Sequence, residues 1–155
     1  MEYSFNYIVT LCYLLNKKNQ ALLIMKKKGF GVGKWNGPGG KVKPGETPEQ
    51  AAIREVKEET GYQPTNLQNL GFIEFIWPHK EENNQICHIF ITKNFSGQRR
   101  ESEESLPQWW NVDKIPLKKM WPDDFYWLKD ALAGKETKYR FFFDENNRYL
   151  KHEKI

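Results

Sequence analysis

The chain has 155 residues, a length that suits one domain and can bury a core without disulfides or a structural metal. Its formal net charge of +4 is mild, and the densest charge runs, residues 26–28 and 101–104, have opposite signs. A protein that coats nucleic acid would show a concentrated basic stripe. We therefore expect no nucleic-acid polymer as a partner.

The two cysteines and the N-terminal residues bear on the compartment. Cys12 and Cys87 both fall in apolar, strand-like stretches, which favours reduced buried thiols over a disulfide or a metal pair. The apolar stretch 7–15 is too short to span a bilayer, and no basic segment precedes it. These features predict a cytoplasmic protein with no membrane partner.

The first predicted elements are two strands and a glycine-rich loop. Residues 7–13 and 21–25 have the apolar, β-branched and aromatic composition of strands. The polar turn 16–20 lies between them, so the two strands are expected to form a hairpin. The loop 29–45 follows and holds seven of the chain's eleven glycines.

The clearest predicted helix spans residues 47–60. Thr47 can cap its start, Pro48 fits the first helical position, and Gln50 completes a capping box with Thr47. Gly61 fits the left-handed residue that ends a helix.

The remaining elements alternate strands with a second helix. Strands are predicted at 70–77 and 86–95 around a polar loop at 78–84, then at 109–112 and 139–143 with a tail at 149–150, and a helix at 123–133 stops at Gly134. Strands on either side of helices predict an α/β fold, with a mixed sheet sandwiched between helices. No internal repeat or linker stands out, so residues 1–155 are predicted to form a single domain.

Three glutamates of the first helix share one face. Glu55, Glu58 and Glu59 have the spacing i, i+3, i+4, and their like charges repel each other. A divalent cation with hard oxygen ligands would offset that repulsion. A solvated acidic helix face is the alternative, and taken alone it is the commoner arrangement.

The surrounding residues favour the cation. Residues 40–46 read GKVKPGE, and after seven further residues 54–62 read REVKEETGY. This resembles the Nudix box: glycine, five residues, glutamate, seven residues, then Arg-Glu-aliphatic-x-Glu-Glu-x-Gly-aliphatic. Tyr62 is the one departure, at a packing position. The resemblance implies the Nudix fold and a pyrophosphohydrolase that uses Mg²⁺, with Mn²⁺ as a possible substitute.

The resemblance also implies roles for individual residues. The implied metal ligands are the Gly39 carbonyl and the side chains of Glu55, Glu58 and Glu59, with Glu104 as a further ligand or base from a loop outside the box. Arg54 would orient Glu55 or pair with Glu46. A water activated by the metal would attack a phosphorus and lose its proton to a carboxylate, and the order of preference for that base is Glu59, Glu55, Glu104.

Two further segments narrow the substrate. Residues 26–42 and 120–127, the latter containing Trp-Pro-Asp-Asp, resemble the mammalian-type oxidised purine nucleoside triphosphatases, MutT homologues that remove 8-oxo-dGTP and 2-hydroxy-dATP. The implied substrate-binding residues are Thr10, Lys26, Phe30, Asn36, Phe75, Trp121, Asp123 and Asp124. In this resemblance Asn36 bonds the purine, Trp121 stacks on it and Lys26 contacts phosphates. Pro38 departs from these relatives, which tend to have an aromatic residue there.

The adjacent aspartates have a chemical reading of their own. Two shielded carboxyl groups close together tend to share a proton, so Asp123 and Asp124 would present one donor and one acceptor to a base edge. Exchanging the proton would let one pocket accept two different oxidised purines. Capping of the second helix by these residues is the alternative, and for Trp121 the alternative is core packing.

Three hypotheses follow for function. The first is a monomeric enzyme that sanitises the nucleotide pool by hydrolysing oxidised purine triphosphates, with a small nucleotide as its partner. The second is a Nudix enzyme for other nucleotides, such as ordinary triphosphates, dinucleoside polyphosphates or ADP-ribose. The third is a non-catalytic nucleotide-binding module, which should have lost carboxylates that this chain retains.

Overall fold

The computed structural model describes residues 2–155, in which three β-sheets are combined with two α-helices. The strands are β1 (Tyr7–Leu14), β2 (Gln20–Lys26), β3 (Trp35–Asn36), β4 (Tyr62–Thr65), β5 (Gln68–Ile76), β6 (Gln85–Thr92), β7 (Asn94–Gly97), β8 (Ser105–Asn111), β9 (Thr137–Phe143) and β10 (Tyr149–Lys154). The helices are α1 (Pro48–Thr60) and α2 (Asp124–Leu132), and single 3-10 turns span Glu81–Asn83, Val112–Lys114 and Leu117–Lys119.

The largest sheet is mixed. Its strand order is β1-β6-β5-β9-β10, in which β1 and β6 are parallel, β5 and β9 are parallel, and the other two pairs are antiparallel. A second, antiparallel sheet has the order β3-β2-β8, and β4 pairs with β7. The α/β fold class predicted from the sequence is therefore confirmed.

The two helices cover opposite faces of the five-stranded sheet. Successive side chains of a strand point to opposite faces, and β1 shows the result. Cys12 and Leu14 pack with Val56 of α1, whereas Tyr13 packs in the cluster that contains Trp127 of α2. The sheet thus lies between helices, as the sequence predicted.

The predicted hairpin of the first two strands is wrong. β1 and β2 belong to different sheets, and an isolated bridge between Leu15 and Ala21 joins them near the turn. Beyond that point the edge of β1 bonds the glycine-rich loop instead, because the Cys12 amide donates to the Pro38 carbonyl (2.8 Å) and the Thr10 amide to the Gly40 carbonyl (2.9 Å). The glycine-rich loop, and not β2, therefore pairs with this edge of β1.

Other strands differ from the prediction in their bounds. The strand expected at 86–95 divides into β6 and β7, and the strand expected at 109–112 begins at Ser105. The short strands β3 and β4 were not predicted. Pro64 in β4 and Pro107 in β8 interrupt the strand pattern of the sequence, since proline cannot donate to a ladder.

Helix α1 has the ends that the sequence predicted. The Thr47 hydroxyl accepts from the Gln50 amide (3.1 Å), and the Gln50 side chain accepts from the Thr47 amide (3.0 Å). Gly61 ends the helix at φ 85°, where an added Cβ would lie 2.3 Å from the Gln98 carbonyl oxygen. Both ends are fixed, so the rotation of the acidic face is fixed with them.

The two cysteines are unpaired, as the sequence predicted. Cys12 and Cys87 are free and buried, and burial raises the pKa of Cys12 to about 12. Neither helix found between residues 2 and 155 has the length and apolar character needed to cross a membrane.

We expect Thr47→Ala to lower the free energy of unfolding by about 1 kcal/mol, because it removes the side chain that caps α1. Urea denaturation measures this change. Gln50→Ala removes the other half of the same reciprocal pair, so the double variant should lose less than the sum of the two single losses. An unchanged denaturation midpoint in Thr47→Ala would contradict the assigned cap.

Candidate active site

A cavity of about 400 Å³ lies between β1, the glycine-rich loop, the end of α1 and the start of α2. This volume is within the range of small-molecule sites. All eight substrate-binding residues predicted from the sequence line it: Thr10, Lys26, Phe30, Asn36, Phe75, Trp121, Asp123 and Asp124. Gly39 and Glu59 of the predicted metal set line it as well. The cavity therefore brings both predicted groups of residues together, while their roles stay predictions.

The glycine-rich loop orients one residue toward α1. The carbonyls of Pro38 and Gly40 accept hydrogen bonds from β1, so the intervening residue faces the other way. The Gly39 amide accordingly donates to the Glu59 carboxylate over 2.8 Å. Between residues 2 and 155, no backbone amide bonds the Gly39 carbonyl. That carbonyl is thus free to act as a ligand.

The neighbouring glycine leaves room for a carboxylate. A Cβ added at Gly40 would lie 2.5 Å from the carboxyl carbon of Glu55, so any side chain there would displace that carboxylate. The Gly40 carbonyl and amide also lie 3.3 and 3.4 Å from the Thr10 hydroxyl. A glycine here lets the loop approach the acidic face of α1 directly.

Arg54 links the loop to the acidic face. Its guanidinium bonds Glu46 twice, at 2.7 and 2.9 Å, and Glu55 once, at 2.8 Å. It also donates to the Lys41 carbonyl (3.0 Å) and approaches Glu58 (3.4 Å). Hydrogen bonding to Arg54 lowers the pKa of Glu46 to about 2. Both contacts proposed for Arg54, to Glu46 and to Glu55, are present.

Glu59 differs from the other glutamates of α1. Burial raises the pKa of its carboxyl to about 8, against the lowering effect of the Gly39 amide. Glu55 raises this pKa further, and Lys26 lowers it. A carboxyl whose pKa lies near neutrality can accept a proton from a weak acid and release it again.

The predicted metal ligands do not all border the cavity. Glu55 and Glu58 lie outside its lining and contact Arg54, with side chains 19% and 55% exposed. Glu104 is exposed at the start of β8, and its neighbour Ser105 donates to the Glu59 carbonyl (2.8 Å). In the part of the chain that the structure describes, no three acidic, histidine or cysteine side chains already converge as a metal site.

The donor chemistry nevertheless fits a hard divalent cation. Carboxylate oxygens on one helix face lie beside the free Gly39 carbonyl, and hard cations prefer such oxygen ligands. Arg54 contacts Glu55 and Glu58 on this face and is itself held by two hydrogen bonds to Glu46.

The two aspartates are buried at the other end of the cavity. Asp123 is 4% and Asp124 2% exposed. Both aspartates lie at the N-terminus of α2, where acidic residues favour a helix, with Asp123 at the N-cap and Asp124 in the first turn. The Asp123 side chain makes no capping hydrogen bond; its carboxylate accepts instead from the indole NH of Trp127 (2.8 Å). Burial raises the pKa of Asp123 to about 6 and that of Asp124 well above its usual value. Burial therefore favours the protonated form of both carboxyl groups.

An aromatic wall completes the cavity. Phe30, 61% exposed, stacks on Trp121 with ring centroids 5.0 Å apart, and Phe143 meets Trp121 edge-on at 6.4 Å. Trp121 therefore lines the cavity rather than packing in the core, which was the alternative to its predicted stacking role. Such rings offer flat apolar surface to a planar ligand.

Sequence reasoning missed several residues in and around the cavity. Trp127, which lies outside the lining and bonds Asp123, was given no site role, although the i, i+4 spacing of the two residues was a usable signal. The lining residues that were not predicted are Tyr7, Val9, Leu11, Ile24, Gly37, Gly40, Lys41, Trp77, Asn83, Gln85, Cys87 and Phe143. Asn83, Gln85, Cys87 and Phe143 lie far along the chain from every predicted site residue, so no local pattern of the sequence marks them.

Comparison with known proteins shows the family of the chain. The family described as NUDIX domain matches residues 6–131, and the chain belongs to the Nudix family. The oxidized purine nucleoside triphosphate hydrolase of Danio rerio is 43% identical over 139 residues, covering 90% of this chain and 88% of that protein. The enzyme of the same name from Mus musculus is 42% identical over 137 residues, covering 88% and 87%.

The fold has a close match among solved structures. The crystal structure of the MutT protein from Bacillus halodurans superposes with a TM-score of 0.82 at 23% identity, covering 95% of this chain and 96% of that one. At this identity the match supports the fold, and the mixed sheet between helices is shared.

We expect Asp124→Asn to reduce the pH dependence of stability. The folded Asp124 keeps its proton at pH values where the unfolded residue, whose usual pKa is 3.8, has lost it. Its contribution to stability is therefore complete below about pH 4 and is lost as the pH rises toward the raised pKa. The melting temperature of wild type should fall more steeply between about pH 4 and about pH 8 than that of Asp124→Asn.

Asp130→Asn is the matched control, because Asp130 is an exposed aspartate of the same helix. It should keep the wild-type slope. Equal slopes for wild type and Asp124→Asn would show that Asp124 is ionised in the folded protein over this range.

Proposed function

We propose that the protein is a pyrophosphohydrolase that cleaves oxidised purine nucleoside triphosphates, such as 8-oxo-dGTP and 2-hydroxy-dATP, to the monophosphate and pyrophosphate. The observation that carries this proposal is a single cavity that joins the acidic end of α1 to a buried aspartate pair. The names of the Danio rerio and Mus musculus relatives support the same substrate class. The oxidised triphosphate would thereby be removed from the nucleotide pool before it could be incorporated into DNA.

Nudix hydrolases generally use divalent metal ions. For this chain we propose Mg²⁺, with Mn²⁺ as a substitute, held by the Gly39 carbonyl and the carboxylates of Glu55, Glu58 and Glu59, with Glu104 as a further ligand. When bound, the cation would neutralise charge on the phosphates and on the leaving group. Arg54 is a positioning residue, since its hydrogen bonds hold Glu55 against the loop.

Glu59 is the proposed general base. Glu59 lines the cavity, and its bond to the Gly39 amide fixes one carboxylate oxygen, which leaves the other oxygen to take a proton from the attacking water. Glu55 is the second choice because Arg54 already holds its carboxylate. Glu104 is the third, because it is exposed and lies outside the cavity lining.

Lys26 is the proposed phosphate contact. Its ammonium group lies in the cavity and acts electrostatically on Glu59, so it belongs to the same end of the site. The flexible, positively charged Lys26 side chain would attract the triphosphate there, while the carboxylates of α1 bind the metal.

The opposite end of the cavity would bind the base. The Asn36 side-chain oxygen accepts from the Gly37 amide (2.9 Å), which leaves its amide NH₂ to donate to the purine. Trp121 would stack on the ring, next to Phe30. Thr10 and Phe75 complete the wall.

The aspartate pair would read the edge of the base. With one proton between them, Asp123 and Asp124 present a donor beside an acceptor. Both carboxyl groups are buried. A base that leaves one of them without a hydrogen bond would therefore bind less tightly, because a buried polar group without a partner costs free energy. Movement of the proton from one carboxyl to the other would match a second base edge, which accounts for two different oxidised purines.

The proposed setting follows from the same features. We propose a monomeric cytoplasmic enzyme that forms a single domain over residues 1–155 and acts on free nucleotides. The two free, buried thiols suit a reducing compartment, and the mild net charge suits a small anionic substrate better than a nucleic-acid polymer.

A substrate panel tests the proposed substrate class. With Mg²⁺ present, kcat/KM for 8-oxo-dGTP should exceed that for dGTP by about tenfold or more, the effect of one gained hydrogen bond of about 1.4 kcal/mol. Pyrophosphate release measures the rate. ADP-ribose and a dinucleoside polyphosphate serve as the other arms. Equal rates on oxidised and ordinary purines would remove the oxidised-purine assignment, and a preference for ADP-ribose would replace it.

Glu59→Gln tests the assigned base. We expect kcat to fall by a factor of about 10² to 10⁴, the usual contribution of general-base catalysis, because the amide cannot take the proton. Nucleotide binding, measured by calorimetry, should remain. Glu49→Gln changes an exposed glutamate in the first turn of the same helix and should keep the wild-type rate. A Glu59→Gln variant that keeps the wild-type kcat would move the base to another residue.

A further inference from the structure

Tyr13 lies directly behind the floor of the cavity, although it does not line it. The residue belongs to β1 and is fully buried. Its ring lies under Gly37, where an added Cβ would come within 2.6 Å of it, and meets Trp127 edge-on at 6.2 Å. Gly37 and Asp124 both line the cavity, so Tyr13 is separated from the base end of the site by one layer of residues.

Two buried polar atoms in this region lack a partner among residues 2–155. They are the Tyr13 hydroxyl oxygen and the Oδ1 oxygen of Asp124. A buried hydroxyl or carboxyl that makes no hydrogen bond costs free energy, and most such groups in proteins are paired directly or through a buried water. A water in a polar site with two or more partners is stable. One water between these two atoms would satisfy both.

The groups around this point are all acids. Besides burial, the neighbouring Asp123 raises the pKa of Asp124, and the two aspartates in turn raise the pKa values of Cys87 of β6 and Tyr13 of β1. The largest charge–charge influences on each of these groups come from the others, and burial acts against ionisation of every one. Because these neighbours are acids, a carboxylate here would be stabilised by a neutral hydrogen-bond donor and not by a positive charge from one of them.

We propose that Tyr13 is a positioning residue for Asp124: its hydroxyl donates a hydrogen bond, relayed by one buried water, to the Oδ1 oxygen of Asp124. The aspartate pair then has one neutral donor for each carboxyl, since the Trp127 indole serves Asp123 and Tyr13 serves Asp124. The consequence for substrate choice rests on the proposed function, whereas the hydrogen bond itself does not.

The balance of the two donors decides where the proton resides. A hydrogen bond to a carboxylate favours its ionised form. With both donors present, either aspartate can be the ionised one, and the pair can present two different donor–acceptor patterns. Without the Tyr13 hydroxyl, Trp127 alone would act, so the proton would stay on Asp124 and one pattern would remain.

Tyr13→Phe tests the proposal, because it removes the hydroxyl and keeps the ring that packs against Trp127. Titration of the protein labelled with ¹³C at the aspartate carboxyl carbons follows each residue by NMR, without substrate or metal. The pKa of Asp124 should rise further in Tyr13→Phe, and the pKa of Asp123 should fall. Tyr139→Phe, which changes another buried tyrosine outside the cavity lining, should leave both titrations unchanged. Identical titrations in Tyr13→Phe and wild type would overturn the proposal.

Thermal unfolding gives an independent measurement, and it remains informative if Tyr13→Phe is too unstable for NMR titration. If the two groups are linked, the changes in melting temperature for Tyr13→Phe and Asp124→Asn should not add in the double variant. Additive changes would overturn the proposal. A rise in the melting temperature of Tyr13→Phe alone would do so too, because it would mark the hydroxyl as unpaired.

The functional consequence is measured separately. The ratio of kcat/KM for 8-oxo-dGTP to that for 2-hydroxy-dATP should change by about tenfold or more in Tyr13→Phe, as expected for one altered buried hydrogen bond. Values of kcat on the favoured substrate should change much less than KM on the disfavoured one. If wild type hydrolyses neither nucleotide, the proposed function fails while the NMR titration still decides the role of Tyr13. An unchanged ratio in an active enzyme would overturn the link between Tyr13 and substrate choice.

Discussion

The pairing of the glycine-rich loop with the edge of β1 is the constraint on which the site depends. Because β1 bonds the carbonyls of Pro38 and Gly40, the peptide groups of Gly39 must face α1. The Gly39 amide then fixes the Glu59 carboxylate. This edge would serve β2 in an ordinary hairpin, and its use by the loop is what sends β2 to a second sheet. The pairing of the loop with β1 therefore explains both why β1 and β2 form no hairpin and why Gly39 faces α1.

Arg54 offsets part of the charge repulsion on the acidic face of α1, because it contacts three carboxylates. Glu59 has no arginine partner and is partly buried, so its pKa is raised while that of Glu46 is lowered. Two glutamates 13 residues apart in one short segment thus reach opposite protonation behaviour through their surroundings alone.

Sequence reasoning succeeded where the determining contacts are local. The caps of α1, its acidic face and the aspartate pair depend on spacings of one to four residues, and the Nudix box places them in one context. It failed on the pairing of β1, because a choice between two partners for one strand edge depends on the whole fold. Phe143, Gln85 and Tyr13 belong to distant strands or to a layer behind the cavity, so nothing near them in the sequence indicates their place.

The two ends of the cavity follow opposite electrostatic rules. The end at α1 combines glutamates with Lys26 and Arg54, and it suits a charged phosphate chain and a cation. The end at α2 buries carboxyl, thiol and phenol groups, and burial raises the pKa of each. The proposed discrimination between bases at that end requires dry surroundings, because water would form hydrogen bonds with any unpaired carboxyl and remove the penalty for a wrong base. Substitutions that admit water behind Gly37 should therefore reduce selectivity before they reduce the rate of cleavage at the other end.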